Sequence, residues 1–560
     1  MFRVFLLSFL IGPLSGQLYA QDHIHFEDVA EELAFNFVHH SPPTKERHTH
    51  LMMGSGIGAW DYDLDGWPDV VCGQGATWDA ENFRHRNRQP DRLYRNLRGE
   101  LFQDVTTQAG FTPSDYAMGL AIGDSNNDGF PDLFINEFGE NRLYLNQGDG
   151  TFQEIAVSSG LSDNRFGSSC SWADLDGDHQ LDLIVSHYLK IEPGHYRVCT
   201  ATHGTNEVPI TCQPRYQPPA YDALYRNTRD GKFEDVTKKS GILDQPPRQG
   251  LGVVVRDFDG DRDLDFYVAN DAVPNQLWIN QGEFRFSEMG LLSGTAINQS
   301  GAREAGMGVV SGDLNRDGRL DLFVANYFNE TNTFYSQKQP LLFLDTTDVI
   351  GLGAPSRPKL AFGVTVLDAD LDGWKDLFVL NGHVNDLMEE LGRPEPFAQR
   401  PQFYRNVRGR FQDISTECGS WFDIPKVGRS SARLDFNRDG RPDLAVLDLN
   451  SAAALLRNDS TPRGHFLRLK LIGTTSNRSA FGATIKTSDN QWSLCGSSGY
   501  LSCNENQYLL GFAADRNTVD LKIDWPAGGT QTFSKVPTDR SFVIVEGRER
   551  LWTLTSESLR

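Results

Sequence analysis

A nine-residue acidic pattern occurs seven times in this chain, and its regularity restricts the possible folds more than any other feature of the sequence. The copies are DYDLDGWPD from Asp61, DSNNDGFPD from Asp124, DLDGDHQLD from Asp174, DFDGDRDLD from Asp257, DLNRDGRLD from Asp313, DADLDGWKD from Asp368 and DFNRDGRPD from Asp435. Each carries Asp or Asn at positions one, three and five, and Asp at position nine. Before the copies lie segments of small and apolar residues, such as AMGLAIG and GLGVVVR; after them come compact apolar runs, such as DLFIN and DFYVA. Short apolar runs bounded by turn residues read as buried strands. A third and a fourth strand follow, as in RLYRNLRGELFQDVT and QFYRNVRGRFQDIS. Four strands repeated seven times predict a seven-bladed β-propeller in an all-β chain.

The ends of the array predict how the ring closes. After the seventh copy the chain passes through AALLRND and leaves without a fourth strand of the FQDVT kind, whereas FEDVA at Phe26–Ala30 matches FQDVT at Phe102–Thr106. An N-terminal strand completing the last blade would remove a sheet edge. The longest interval between copies holds an insertion at about 190–220, a candidate recognition loop or a stapled surface loop.

Alternating carboxylates and amides on a tight turn suit a hard cation that takes oxygen ligands in a forgiving geometry, which is calcium. An EF-hand would need a bidentate Glu at position twelve between two helices, and neither is present. The side-chain ligands expected are Asp61, Asp63, Asp65 and Asp69; Asp124, Asn126, Asp128 and Asp132; Asp174, Asp176, Asp178 and Asp182; Asp257, Asp259, Asp261 and Asp265; Asp313, Asn315, Asp317 and Asp321; Asp368, Asp370, Asp372 and Asp376; and Asp435, Asn437, Asp439 and Asp443. Up to seven calcium ions follow. Loops three and four move the glycine to position four, at Gly177 and Gly260, and a different turn geometry is expected there. The competing reading is a set of solvated acidic turns.

The first twenty residues, with Arg3, an apolar run over Val4–Leu14 and Ala20, read as a secretory signal peptide, which places the mature chain outside the cell, in a periplasm or on a cell surface. A net charge of -22 disfavours nucleic acid as a partner, because binding phosphates needs concentrated Lys and Arg. No other stretch is long and apolar enough to span a membrane, and a monomer is expected. Seven cysteines permit disulfides; Cys199–Cys212 and Cys495–Cys503 are the candidate pairs, with free buried thiols as the alternative. Cys72, Cys170 and Cys418 fall beside or within strands, where core packing is expected.

Beyond about Arg463 the repeat stops. FLRLKLI and VDLKIDW alternate apolar with polar residues, and PAGG supplies a turn, so a small antiparallel sandwich is expected. The divisions expected are a signal peptide at 1–20, the propeller at 21–460, the sandwich at 463–548 and a tail at 549–560. SNR at Ser476–Arg478, FGA at Phe481–Ala483, SSGYLS at Ser497–Ser502 and DWPAGG at Asp524–Gly529 resemble the ASPIC/UnbV domain, and the repeats resemble FG-GAP/VCBS units of the integrin α-subunit type. The order of the two parts is similar to that of the cartilage acidic protein family and its bacterial relatives. That resemblance implies a secreted calcium-binding propeller.

No HExxH, Walker loop or GxSxG elbow is present, so the function expected is a non-enzymatic interaction or adhesion module for an extracellular protein or glycan. The alternative is a calcium-dependent polysaccharide-degrading enzyme with a site in the propeller channel. Its candidate residues are His39, His40, His48, His50, His383 and Asp386; His48 and His50 could alternatively hold a transition metal or belong to a solvated linker. NxS/T sequons stand at Asn298, Asn329, Asn458 and Asn477.

Overall fold

Seven four-stranded antiparallel sheets each contain one copy of the repeat. The computed structural model describes residues 23–554, so the signal-peptide expectation and residues 555–560 of the tail lie outside the described residues. In the first sheet the strands are Ile57–Trp60, Asp69–Cys72, Arg92–Asn96 and Phe102–Asp104, with the acidic loop joining the first two. The first strands of successive sheets touch one another in an unbroken cycle, so they form the inner wall of a ring. Glycines make that contact possible: a Cβ on Gly119 would lie 2.2 Å from the Ser168 carbonyl, and one on Gly252 would lie 2.2 Å from that of Met307.

Hydrophobic packing fills the seams between blades. Val254, Tyr267 and Leu277 of the fourth blade pack with Leu322, Val324 and Tyr335 of the fifth, and each other pair of neighbours shares a cluster of the same kind. Closure follows the expectation. Phe26–Asp28 pairs antiparallel with Ala454–Asn458, setting Phe26 opposite Asn458, and the Phe26 ring lies in the seam between blades six and seven beside Phe403 and Phe422.

The C-terminal region forms two more four-stranded sheets around Leu469, Ile485, Leu510, Ile523 and Ile544. It departs from a purely antiparallel sandwich, because Gly464–Ile472 pairs in parallel with Arg540–Val545. The chain visits the second sheet between these strands and returns in the original direction, which makes them parallel.

From this unit residues 496–505 enter the propeller. Gly499 exchanges two backbone hydrogen bonds with Val309, at 2.9 and 3.1 Å; Leu120 N–H donates to the Leu501 carbonyl at 3.1 Å; and Cys503 N–H donates to the Ile57 carbonyl at 3.1 Å. Arg433 N–H donates to Asn504 Oδ1 at 2.7 Å. Inner-strand backbone groups that would face an empty bore are thereby satisfied. Tyr500 and Leu501 are 0% and 1% exposed and join Met53, Tyr116, Met118, Met307 and Phe362 in one core. The channel in which the enzymatic alternative placed its site is therefore occupied by this loop.

At the other end of the bore the insertion lies across the ring. Its hairpin, Cys199–His203 and Asn206–Ile210, carries the Cys199–Cys212 disulfide. Thr211 N–H donates to Asn385 Oδ1 at 2.8 Å, and the Tyr196 hydroxyl lies 2.8 Å from His50 Nδ1. Cys495 and Cys503 are free thiols, contrary to the second candidate pair: Cys503 is strung beside the strand Ile57–Trp60 in the bore, and each thiol meets a nearby carbonyl. Cys72, Cys170 and Cys418 are buried, as expected.

Candidate metal centres

Each acidic loop is a double left-handed turn. In the first loop Leu64 and Gly66, at positions four and six, have φ of 57° and 91°. Gly177 and His179 of loop three have φ of 71° and 70°, and Gly260 and Arg262 of loop four have 89° and 86°. Moving the glycine therefore leaves the turn unchanged, contrary to expectation. Left-handed backbone costs a non-glycine residue roughly 1 kcal/mol or more, and seven loops tolerate it because the same hydrogen bonds fix them all.

Position one accepts from the backbone N–H of position six, as Asp61 does from Gly66 at 3.1 Å and Asp174 from His179 at 3.0 Å. Position five accepts from position seven, as Asp65 does from Trp67 at 3.0 Å. Position nine is fully buried and accepts twice: Asp69 takes Tyr62 N–H at 3.1 Å and Asn96 N–H at 2.8 Å. With these bonds made, positions one, three and nine bring a carboxylate oxygen each to within 4.8 Å of one another in loops one, three, four and six, at Asp61/Asp63/Asp69, Asp174/Asp176/Asp182, Asp257/Asp259/Asp265 and Asp368/Asp370/Asp376. Position five does not join these groups. In loops two, five and seven the third position is Asn126, Asn315 or Asn437, an amide where the others have a carboxylate.

These clusters have the electrostatics of cation sites. Burial pushes Asp265 up to about 8, Asp61 and Asp174 up to about 6, and Asp69, Asp182 and Asp376 well above the carboxylate range. Asp61 Oδ1 and Asp174 Oδ1 are buried without a hydrogen-bond partner. A divalent cation supplies what such oxygens lack.

Counter-charge is distributed unequally. Arg95, Arg226 and Arg405, from the third strands of blades one, three and six, reach Asp63, Asp176 and Asp370 at 2.6, 2.8 and 2.7 Å. Ile279 holds the corresponding position in blade four, leaving its carboxylate group free of that arginine. In loop seven Arg468, from the first C-terminal strand, forms a buried ion pair with Asp435, and Arg438 pairs with Glu505 at 2.6 Å. A guanidinium thus neutralises the position-one carboxylate of loop seven through the oxygen that also accepts Gly440 N–H.

An amide one residue beyond that arginine position has a role that the sequence reading missed. Asn280 takes Asp265 Oδ1 through its backbone N–H at 2.8 Å, and its side-chain amide donates to the Leu175 carbonyl of the preceding loop at 2.8 Å. Asn96, Asn146, Asn227, Gln337, Asn406 and Asn458 repeat this arrangement around the ring; Asn96 reaches Phe436 of the seventh loop at 2.9 Å. The signal was the amide ending YRN, YLN, WIN, YSQ and LRN. Asn280→Ala leaves buried carbonyls unpaired and should cost about 2–4 kcal/mol, read as a lower urea midpoint; an unchanged midpoint would refute the clasp.

Asn458 belongs to this clasp and Asn477 bonds Phe481; both are fully buried and are not available as glycan acceptors in the folded chain. His48 and His50 have rings 6.4 Å apart, while the other enzymatic candidates are held by separate partners. His39 Nε2 meets Ser55 Oγ at 3.0 Å, His383 lies beside Tyr327, and Asp386 is held by Arg47 at 2.8 Å.

The model for the FG-GAP-like repeat matches residues 61–135, 126–185, 257–324 and 313–379, and that for ASPIC and UnbV matches residues 473–551. The chain is an FG-GAP-repeat protein with a C-terminal ASPIC and UnbV domain. The matched repeats contain loops one to six, while the seventh loop, paired with Arg468, lies outside them. Human cartilage acidic protein 1 is 26% identical over 230 residues, 34% of this chain and 34% of that protein; rat integrin alpha-7 is 26% identical over 227 residues, 38% of this chain and 19% of that protein. This FG-GAP protein thus matches about a third or less of the length of these relatives. Among solved structures, a Burkholderia pseudomallei lectin covers 73% of the chain with 96% of its own, at 10% identity and a TM-score of 0.43. YCF48 bound to D1 peptide covers 79% with 100% of its own, at 9% identity and a TM-score of 0.39. No helix of the described residues is long and apolar enough to cross a membrane.

Proposed function

We propose that this protein is an exported, calcium-stabilised propeller that works as a non-enzymatic interaction module, presenting a rigid ring to an extracellular protein or glycan. The observation that carries the reading is the set of four carboxylate triads, each with a buried position-nine aspartate, on identically built turns. Positions one, three and nine hold calcium in loops one, three, four and six, and the asparagine-bearing loops two and five bind more weakly. Loop seven uses Arg468 in place of the ion, so fewer than seven ions bind. Because each position-nine aspartate also anchors the amide that reaches the neighbouring blade, calcium at the loop stiffens the seam.

The relatives point the same way, since over about a third of its length the chain is similar to an integrin alpha-7 and to a cartilage acidic protein. The filled bore favours recognition at the outer faces over chemistry in the channel. Screening the mature protein against extracellular protein and glycan arrays, with calcium and with chelator, tests this. Calcium-dependent binding without turnover is the expected result; cleavage of a polysaccharide would overturn the reading.

A further inference from the structure

On the face of the ring opposite the C-terminal unit, the segment before blade one, the hairpin Thr77–Asp79/Arg84–Arg86 and the insertion bury a cluster of rings: His48, His50, Trp78, His85, Tyr116, Phe138 and Tyr196. We propose that His50 and His85 form a two-histidine site for a borderline transition-metal cation, of which Zn2+ is representative, distinct from the calcium loops in place and in ligand chemistry.

Three observations carry this. First, both Nε2 atoms are buried without a hydrogen-bond partner, and His50 is fully buried. A buried imidazole nitrogen normally finds a partner, so two such atoms in adjacent rings call for a common one. Second, the other nitrogen of each ring faces a polar group. His50 Nδ1 lies 2.8 Å from the Tyr196 hydroxyl, and His85 Nδ1 lies 3.8 Å from Asp115 Oδ1. The Asp115 carboxylate behind His85 Nδ1 favours the tautomer with the Nε2 lone pair free, the outer arrangement that metal-binding histidines use, while the Tyr196 hydroxyl, able to donate or accept, accommodates that tautomer at His50. Third, the ring centroids are 5.4 Å apart at 76°. Two imidazoles bound through Nε2 at about 2.0–2.1 Å to one tetrahedral ion place their centroids roughly 5 Å apart.

Charge and surroundings agree. Burial, with His85 and His48 adding, keeps His50 well below its ordinary value, which favours the neutral imidazole. Imidazole suits zinc, copper and nickel, whereas calcium takes oxygen. Trp78 faces His85 across the hairpin register, and with Phe138 it walls the site with apolar surface. His48, whose ring lies 6.4 Å from that of His50, is the nearest further imidazole on the segment; solvent completes the coordination.

The test uses the mature chain saturated with calcium, so that the acidic loops are already filled. Zn2+ is added in a calorimeter, and Co2+ in a parallel absorption titration. One equivalent of zinc, and visible Co2+ bands of the intensity given by four-coordinate ligation, are expected. His85→Gln should abolish both signals. Asp115→Asn, which keeps both rings, should weaken zinc binding by about 10–100-fold without changing the calcium content. No zinc uptake above the calcium-saturated baseline would overturn the site, as would uptake that both variants leave intact. Should His85→Gln fail to fold, the Asp115→Asn affinity and the wild-type Co2+ spectrum decide the matter.

Discussion

Leu501→Asp is expected to unfold the propeller along with the C-terminal sheets. Leu501 is 1% exposed at the centre of the bore, its carbonyl accepts from Leu120 at 3.1 Å, and its backbone N–H donates to Ser169 Oγ at 3.2 Å. Deleting a buried leucine costs about 2–5 kcal/mol, and burying an unpaired carboxylate adds several more. The sum is on the order of the whole stability of a domain. Were the C-terminal unit merely tethered, the substitution would undock it and leave the ring intact. Calorimetry separates the two: one shared transition that drops steeply in the variant is predicted, whereas a propeller transition at the wild-type temperature would contradict the coupling.

Removing residues 23–30 is the second large effect. The deletion takes Phe26 out of the seam between blades six and seven, worth about 3–5 kcal/mol for a buried phenylalanine, and strips Ala454–Asn458 of its outer partner. It also removes Asp28, whose Oδ1 takes Leu455 N–H at 3.2 Å. A bare strand edge templates pairing with another chain, so a lower urea midpoint and concentration-dependent association are expected together. A monomeric deletion variant with an unchanged midpoint would show that the ring closes without this strand.

Closure was legible in the sequence because a strand lost at one end and gained at the other keeps its pattern: FEDVA repeats FQDVT. The blades were legible for the same reason, since each acidic turn and its flanking strands are local. Other features depend on residues far apart in the chain. The amides of Asn96 and Asn280 recur visibly, yet their acceptors belong to the preceding blade. SSGYLS read as part of a C-terminal sandwich; nothing local says that Tyr500 and Leu501 fill a bore built by the propeller. Loops three and four looked different because glycine was taken as the marker of the turn. The backbone is set by hydrogen bonds to Asp174 and Asp257, so His179 and Arg262 adopt positive φ regardless. Pairing Arg468 with Asp435 was invisible for a similar reason, because it joins the two parts of the chain. His85 escaped notice within FRHRNR, as its partners come from three separate segments.

The most direct measurement is a thermal melt of the mature protein in excess calcium and in chelator, with bound calcium counted by elemental analysis on the same preparation. Several ions per chain, fewer than seven, and a large fall in melting temperature on chelation are predicted. Asp259→Asn in loop four, whose carboxylates lack the third-strand arginine, should remove about one ion and part of that shift. No bound metal and an identical melting temperature in chelator would contradict the account, leaving the seven loops as acidic turns held by hydrogen bonds alone.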